Sequence, residues 1–154
     1  IKMGKNTIVV KTFEEFQDDN KKYYPIVLQA ITQIASLITK GSKQAGDWLI
    51  EGGVDYDIYP ESGEKEAYKE NQVSFINQKE GTDIFIDWNI FVKQTHHDPG
   101  DGYITPPNTE YETNVTIDSV LYYTENGTNE YQIVVDEQMS NACEKLLDAI
   151  ANNK

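Results

Sequence analysis

The residues best suited to chemistry lie together in one short stretch. His96-His97-Asp98 runs directly into Pro99-Gly100-Asp101-Gly102-Tyr103-Ile104-Thr105-Pro106-Pro107. Imidazole beside carboxylate can ligate a metal ion or move a proton near neutral pH. His96, His97, Asp98 and Asp101 are therefore the candidate ligands, with Glu110 as a further donor. Consecutive strand residues point to opposite faces, so the two histidines share one ion only where the strand bends. The same run overlaps part of a calcium-binding EF-hand loop, with Asp101 at its fifth position and Gly102 at its sixth. The overlap ends there: His97, Pro99 and Asn108 stand at the first, third and twelfth positions, where carboxylates are wanted. The plainer reading is a tight turn at a polar strand end, with neither metal nor cofactor bound.

Other reactive groups are few. No Ser-His-Asp arrangement, phosphate-binding glycine loop or CxxC pair occurs. The single cysteine, Cys143, falls on the apolar face of a helical pattern and reads as a small buried hydrophobe. It also rules out an intrachain disulfide framework, which agrees with a reducing compartment. Two glycosylation sequons, at Asn114 and Asn126, read as chance in an Asn-rich chain. Five of the ten tyrosines come late, at Tyr103, Tyr111, Tyr122, Tyr123 and Tyr131. Tyrosine beside Asn and Asp on a sheet suits a protein- or sugar-binding face. The candidate binding residues are Asp98, Asp101, Tyr103, Tyr111 and Tyr122.

The elements that must position these residues form one long β region, 71–136. Over 83–95, Ile84, Ile86, Trp88, Ile90 and Val92 alternate with Asp83, Asp87, Asn89 and Lys93, the period of a half-buried strand. Phe85 and Phe91 interrupt the polar face, which suggests that something covers it in part. A preceding strand over 72–79 joins through Glu80-Gly81. After the Gly/Pro loop, Tyr111, Thr113, Val115, Ile117, Leu121 and Tyr123 are expected on one face. Asn126-Gly127 then predicts a type I′ hairpin, because both central residues need φ > 0.

The first seventy residues read as mainly helical. Residues 7–11 suit a short strand. Thr12 with Glu15 three residues on has the capping-box spacing. A helix over 13–23 should follow, with Pro25 interrupting it or opening a second helix. The wide apolar face of Val27, Ile31, Ile34 and Ile38 predicts a helix over 26–40, stopped by Gly41. Residues 42–51 are expected to add a helical turn or two, with Trp48 and Leu49 inward. Val54, Tyr56 and Ile58 alternate as in a short strand, and 60–70 reads as a charged connection. At the other end, Met139, Cys143, Leu146 and Ile150 mark a helix over 137–151. The fold expected is α+β and a single domain: an antiparallel meander of four to five strands against an N-terminal helix or helical hairpin, plus a C-terminal helix. A small sandwich or half-barrel is the alternative.

Charge narrows the partners. The 154 residues carry a net charge of −13, and residues 94–154 alone carry −9, with two lysines against eleven acids. Such a surface repels phosphates, so direct nucleic-acid or acidic-membrane binding is not expected, whereas a basic partner is attracted. All thirteen basic residues are lysine. Without arginine the chain has no bidentate fork for phosphate or carboxylate. No apolar run is long enough to span a bilayer.

The order of a long alternating strand, the Asp98–Pro107 loop, an acidic strand with Thr116-Ile117-Asp118-Ser119-Val120 and a short C-terminal helix resembles small, largely uncharacterised proteins of tailed bacteriophages and mobile elements, over about residues 82–150. The resemblance implies a phage or prophage context, hence the cytoplasm of a bacterial host or a virion, and no particular reaction. The expected function is a non-enzymatic component that binds a protein partner or assembles with itself. An acidic nucleic-acid mimic that blocks a host defence enzyme is the alternative, and a metal-dependent enzyme at residues 96–101 the third.

Overall fold

A computed structural model describes residues 11–101 and 106–153 of the chain. The expected strand at 7–11 falls almost wholly outside the described residues, as do Gly102, Tyr103 and Ile104 of the central loop. Along the described chain come α1 (Phe13–Leu37), β1 (Gln44–Ala45), β2 (Trp48–Glu51), β3 (Glu66–Asn77), β4 (Thr82–Asp98), β5 (Asn108–Thr124), β6 (Asn129–Ile133) and α2 (Glu137–Asn152). All six strands pair with their sequence neighbours, antiparallel, in the order β1-β2-β3-β4-β5-β6. The architecture is α+β, with six strands rather than four to five, and both helices contribute to one core against the sheet.

α1 is one helix, not two. It starts as expected: the Glu15 N–H donates to Thr12 Oγ1 at 3.1 Å. It then runs through Pro25, which removes one N–H and crowds the carbonyl one turn earlier. The helix survives because Tyr23, Val27, Ile31 and Ile34 share a stripe that packs into the core, and tertiary burial outweighs local propensity. Pro25 itself is exposed. Pro25→Ala should therefore stabilise the protein, by about 1–3 kcal/mol, since proline costs about 3 kcal/mol relative to alanine in a helix interior. A higher urea midpoint with unchanged slope checks this.

The helix also stops earlier than Gly41. Ile38 is already extended, with φ −68° and ψ 131°, which turns its side chain back toward the core. Gly41, at φ +74°, instead donates its N–H to the Asn153 carbonyl and so ties the α1 exit to the end of α2.

Residues 42–51 are not the expected helical turns. They form the β1–β2 hairpin, with Ala45 opposite Trp48 across Gly46-Asp47. Trp48 and Ile50 point inward and Leu49 is only half buried, which is strand alternation rather than a helical face. The hairpin needs Gly46, whose φ of +60° suits glycine and whose added Cβ would lie 2.9 Å from Leu37 Cδ1. Residues 54–58 do alternate, with Val54 buried and Tyr56 and Ile58 half buried, but pair with no strand. They are an extended strap on the inner face of the sheet. The Tyr56 ring meets Trp88 edge-on at 5.8 Å, and its hydroxyl donates to Asp148 Oδ1 at 2.8 Å. The charged connection is shorter than expected, because β3 begins at Glu66.

β4 follows its predicted pattern: Ile84, Ile86, Trp88, Ile90 and Val92 are fully buried. β5 does not. A bulge sets Trp88 opposite Ile117 but Asp87 opposite Ser119, leaving Asp118 as the extra residue. Parity changes there, as a bulge requires. Upstream, Ile117 faces the core; downstream, Val120 and Tyr122 do, and Leu121 and Tyr123 turn to the outer face. The expectation that Leu121 and Tyr123 share a face with Ile117 is thus overturned. The β5–β6 hairpin sits one residue earlier than expected, with Glu125 and Asn126 at φ 52° and 57° and the Gly127 N–H donating to the Thr124 carbonyl.

α2 follows its prediction within a residue. Met139, Cys143, Leu146 and Leu147 are buried, and burial pushes the Cys143 thiol up to about 12. Asp136 caps the helix, accepting from the Met139 N–H at 2.9 Å and from the Tyr24 hydroxyl. The tyrosine bond first, and the backbone bond second, hold its carboxyl below the usual range. Asp136→Ala should cost about 1 kcal/mol, as N-cap removals do. A depressed folded pKa means that this contribution is complete above the unfolded value of about 4 and is lost as pH falls through the folded one. Urea midpoints of the two proteins should therefore differ at pH 6 and converge toward pH 2.

Candidate functional site

The chemistry-bearing stretch stands on an arm. β3 accompanies β4 only as far as the Glu66–Lys93 pair, yet β4 and β5 continue together to Asp98 and Asn108. Beyond Lys93 the sheet is, among the described residues, two strands wide, with most of its residues exposed. A second bulge, between Gln94 and His96, leaves Thr95 unpaired and twists the arm. Such a ribbon has little core of its own, and is carried by the six-stranded body below it.

The candidate ligands are spread along this arm. His96 lies opposite Glu110 and His97 opposite Thr109; His97 Nδ1 and Thr109 Oγ1 are 2.7 Å apart. Asp98 Oδ1 accepts from the Gly100 N–H at 2.9 Å, so its carboxylate shapes the turn. Gly100, at φ +72°, completes that turn. Asp101 is exposed at the edge of the described loop. Among the described residues no three His, Cys, Asp or Glu side chains are grouped to hold a metal ion.

The candidate tyrosines separate. Tyr111 is 39% exposed at the arm's base and meets Tyr59, itself 62% exposed, at 5.3 Å between ring centroids. Tyr122 is only 6% exposed and lies in the core beside Tyr23, which stacks in turn on Tyr131 at 4.2 Å. It is a packing residue, placed inward by the Asp118 bulge. Tyr103 lies outside the described residues.

The outer face of the sheet carries a polar ladder that the sequence did not announce. Asp87 accepts from Gln72 Nε2 and from Ser119 Oγ, each at 2.8 Å, which links β3, β4 and β5. Asn89 donates to Asp118 Oδ1 at 2.8 Å. Gln72, Asp87, Asp118 and Ser119 line a depression of about 470 Å³ together with Glu70 and Asn71. Beside the ladder, Phe85 and Tyr123 pack at 5.1 Å, and the Tyr123 hydroxyl donates to Glu130. Phe85 therefore breaks the polar alternation to cover Tyr123. The pairings hold both oxygens of Asp87 in neutral hydrogen bonds, so the ladder fixes geometry.

A second depression of about 470 Å³ lies between β5 and α2. Thr113, Asn114 and Val115 form one wall, Asn141, Glu144, Lys145 and Asp148 the other, with Tyr56 between them. No alternation pattern signals it, because it arises where β6 stops short. β6 pairs with β5 only over Val120–Thr124.

No known protein family, curated protein or solved structure matches the chain. Among the described residues no helix is long and apolar enough to cross a membrane.

Proposed function

We propose that the chain is a non-enzymatic binding protein of a phage or mobile element, a virion, assembly or host-modulating component, and that it engages a basic partner through the acidic late half of its sheet. The observation that carries this reading is the arm. It extends past the end of β3, is exposed at most of its residues, and bears Asp98, Asp101, Glu110, Glu112 and Tyr111. Between Gln94 and Glu144 the chain has no lysine to offset these charges. A protruding ribbon of one sign steers an oppositely charged surface, and an exposed tyrosine pair supplies the desolvated contact that charge alone lacks. The test is capture by the triple variant Asp98→Asn, Asp101→Asn, Tyr111→Ala. It should hold the wild-type partner at least roughly tenfold less tightly, the loss of about 1.4 kcal/mol or more, with an unchanged circular dichroism spectrum. Equal binding by the variant removes the arm from the account.

A second reading, an acidic nucleic-acid mimic that occupies a basic enzyme of host defence, draws on the charge of −9 over residues 94–154. It requires binding that falls steeply with salt and competes with DNA or RNA for the same enzyme.

A further inference from the structure

We infer that the depression between β5 and α2 receives an extended, lysine- or arginine-bearing segment of the partner, added to the sheet as a strand along the free edge of β5. The inference rests on the binding reading above and gives that reading its mode of recognition.

The free edge comes first. β4 pairs with β5 along its length, but β6 covers only Val120–Thr124 on the other side, so among the described residues 108–119 have no strand on that side. The direction of its hydrogen-bonding groups follows from the ladder. The Gln94 N–H donates to the Lys65 carbonyl, away from β5. In an antiparallel ladder the direction alternates residue by residue, so Lys93 and its partner Glu112 face each other, and the N–H and C=O of Thr113 and Val115 point outward. An unpaired row of this kind is a template for another strand.

The wall comes second. Asn141, Glu144, Lys145 and Asp148 are spaced 3, 1 and 3 apart and form one stripe along α2 beside that edge. The other end of the edge carries the exposed Tyr59–Tyr111 pair. A strand laid between them makes main-chain bonds to β5 and side-chain contacts to α2, and its alternate residues enter different surroundings.

Charge selects the occupant. Side chains directed to the helix layer meet Glu144 and Asp148 with only Lys145 against them; those directed to the outer face meet Glu110 and Glu112. Both faces of the added strand thus favour cations. A second copy of this chain, pairing edge to edge, would bring Glu110 and Glu112 of both copies to one short added ladder (directly opposite each other when centred on Tyr111), which disfavours it.

The experiment uses the full chain and the synthetic peptide acetyl-Lys-Val-Lys-Thr-Lys-Val-Lys-amide, followed by amide NMR and hydrogen exchange at low salt. Binding should slow exchange at Thr113 and Val115, with no comparable change at Asn114. N-methylation of the peptide's β5-facing amides should weaken binding roughly tenfold, the loss of one or two net hydrogen bonds. Thr113→Pro, which removes an outward N–H and leaves the β4 ladder donors in place, should do the same while the variant stays folded. Shifts confined to Asp87, Asn89 and Asp118 on the outer face, or protection that reports a dimer of the chain itself, overturn the proposal. If the captured partner is bound equally by the Thr113→Pro protein, the groove fails while the acidic-arm reading stands. If neither a partner nor the lysine peptide binds at low salt, both fail.

Discussion

Trp88→Ala should remove at least roughly a fifth of the protein's stability, about 3–5 kcal/mol of a typical 5–15. Trp88 is fully buried on the central strand β4, beneath the Tyr56 strap and opposite Ile117 at the β5 bulge. Truncation leaves a cavity in the middle of the sheet and removes the edge-on contact that holds the strap. The same residue has an uncompensated feature: among the described residues, no acceptor meets its buried Nε1. A buried N–H without an acceptor costs about 1–3 kcal/mol. Trp88→Phe gives up ring area but relieves that cost, so it should destabilise by less than about 2 kcal/mol. Urea denaturation followed by Trp48 fluorescence separates the two substitutions. Equal losses for Ala and Phe would mean that the indole N–H is not the burden the geometry indicates.

The second large effect concerns register. Deleting Asp118 should leave a folded protein, whereas deleting Phe85 should abolish the cooperative transition. Asp118 is the extra residue of the β5 bulge. Without it Ile117, Val120 and Tyr122 fall into regular alternation opposite Trp88, Ile86 and Ile84. The loss includes the Asn89–Asp118 hydrogen bond on the outer face, about 1 kcal/mol. β4 has no spare residue at Phe85. Removing it makes Ile84 and Ile86 neighbours, so half of the strand turns over and Asp83 or Asp87 is driven inward. A buried unpaired carboxylate costs several kcal/mol, comparable with the whole stability. Far-ultraviolet circular dichroism with thermal melting reads both outcomes.

These two predictions mark what the sequence did and did not reveal. β4, the α1 start and α2 were legible because each carries a local signature: strict alternation, a capping box, and a 4-3-4 apolar spacing. In β5 the expected face holds from Tyr111 to Ile117 and reverses only beyond it, although the signal is present: Ile117 and Val120 are three apart, and only a bulge places both inward. The β1–β2 hairpin hid behind Trp48-Leu49, which suits a short helix; Gly46 at the first position of a two-residue loop was the competing signal. The single course of α1 was not legible, since local rules end a helix at Pro25 and only packing carries it through. Among the candidate site residues, the arm's acids and Tyr111 came out exposed together, while Tyr122 went into the core. The groove beside α2 depends on β6 being short, a fact of pairing that no single segment encodes.

The most direct measurement is affinity capture from bacterial host lysate at about 50 and 500 mM salt, where the Debye length falls from roughly 14 to 4 Å. Wild type and the Asp98→Asn, Asp101→Asn, Tyr111→Ala variant are compared, with bound proteins identified by mass spectrometry. The account predicts a stoichiometric basic partner held by the wild type at low salt, released in large part at high salt, and lost by the variant. A partner held equally by both proteins at both salts would contradict it.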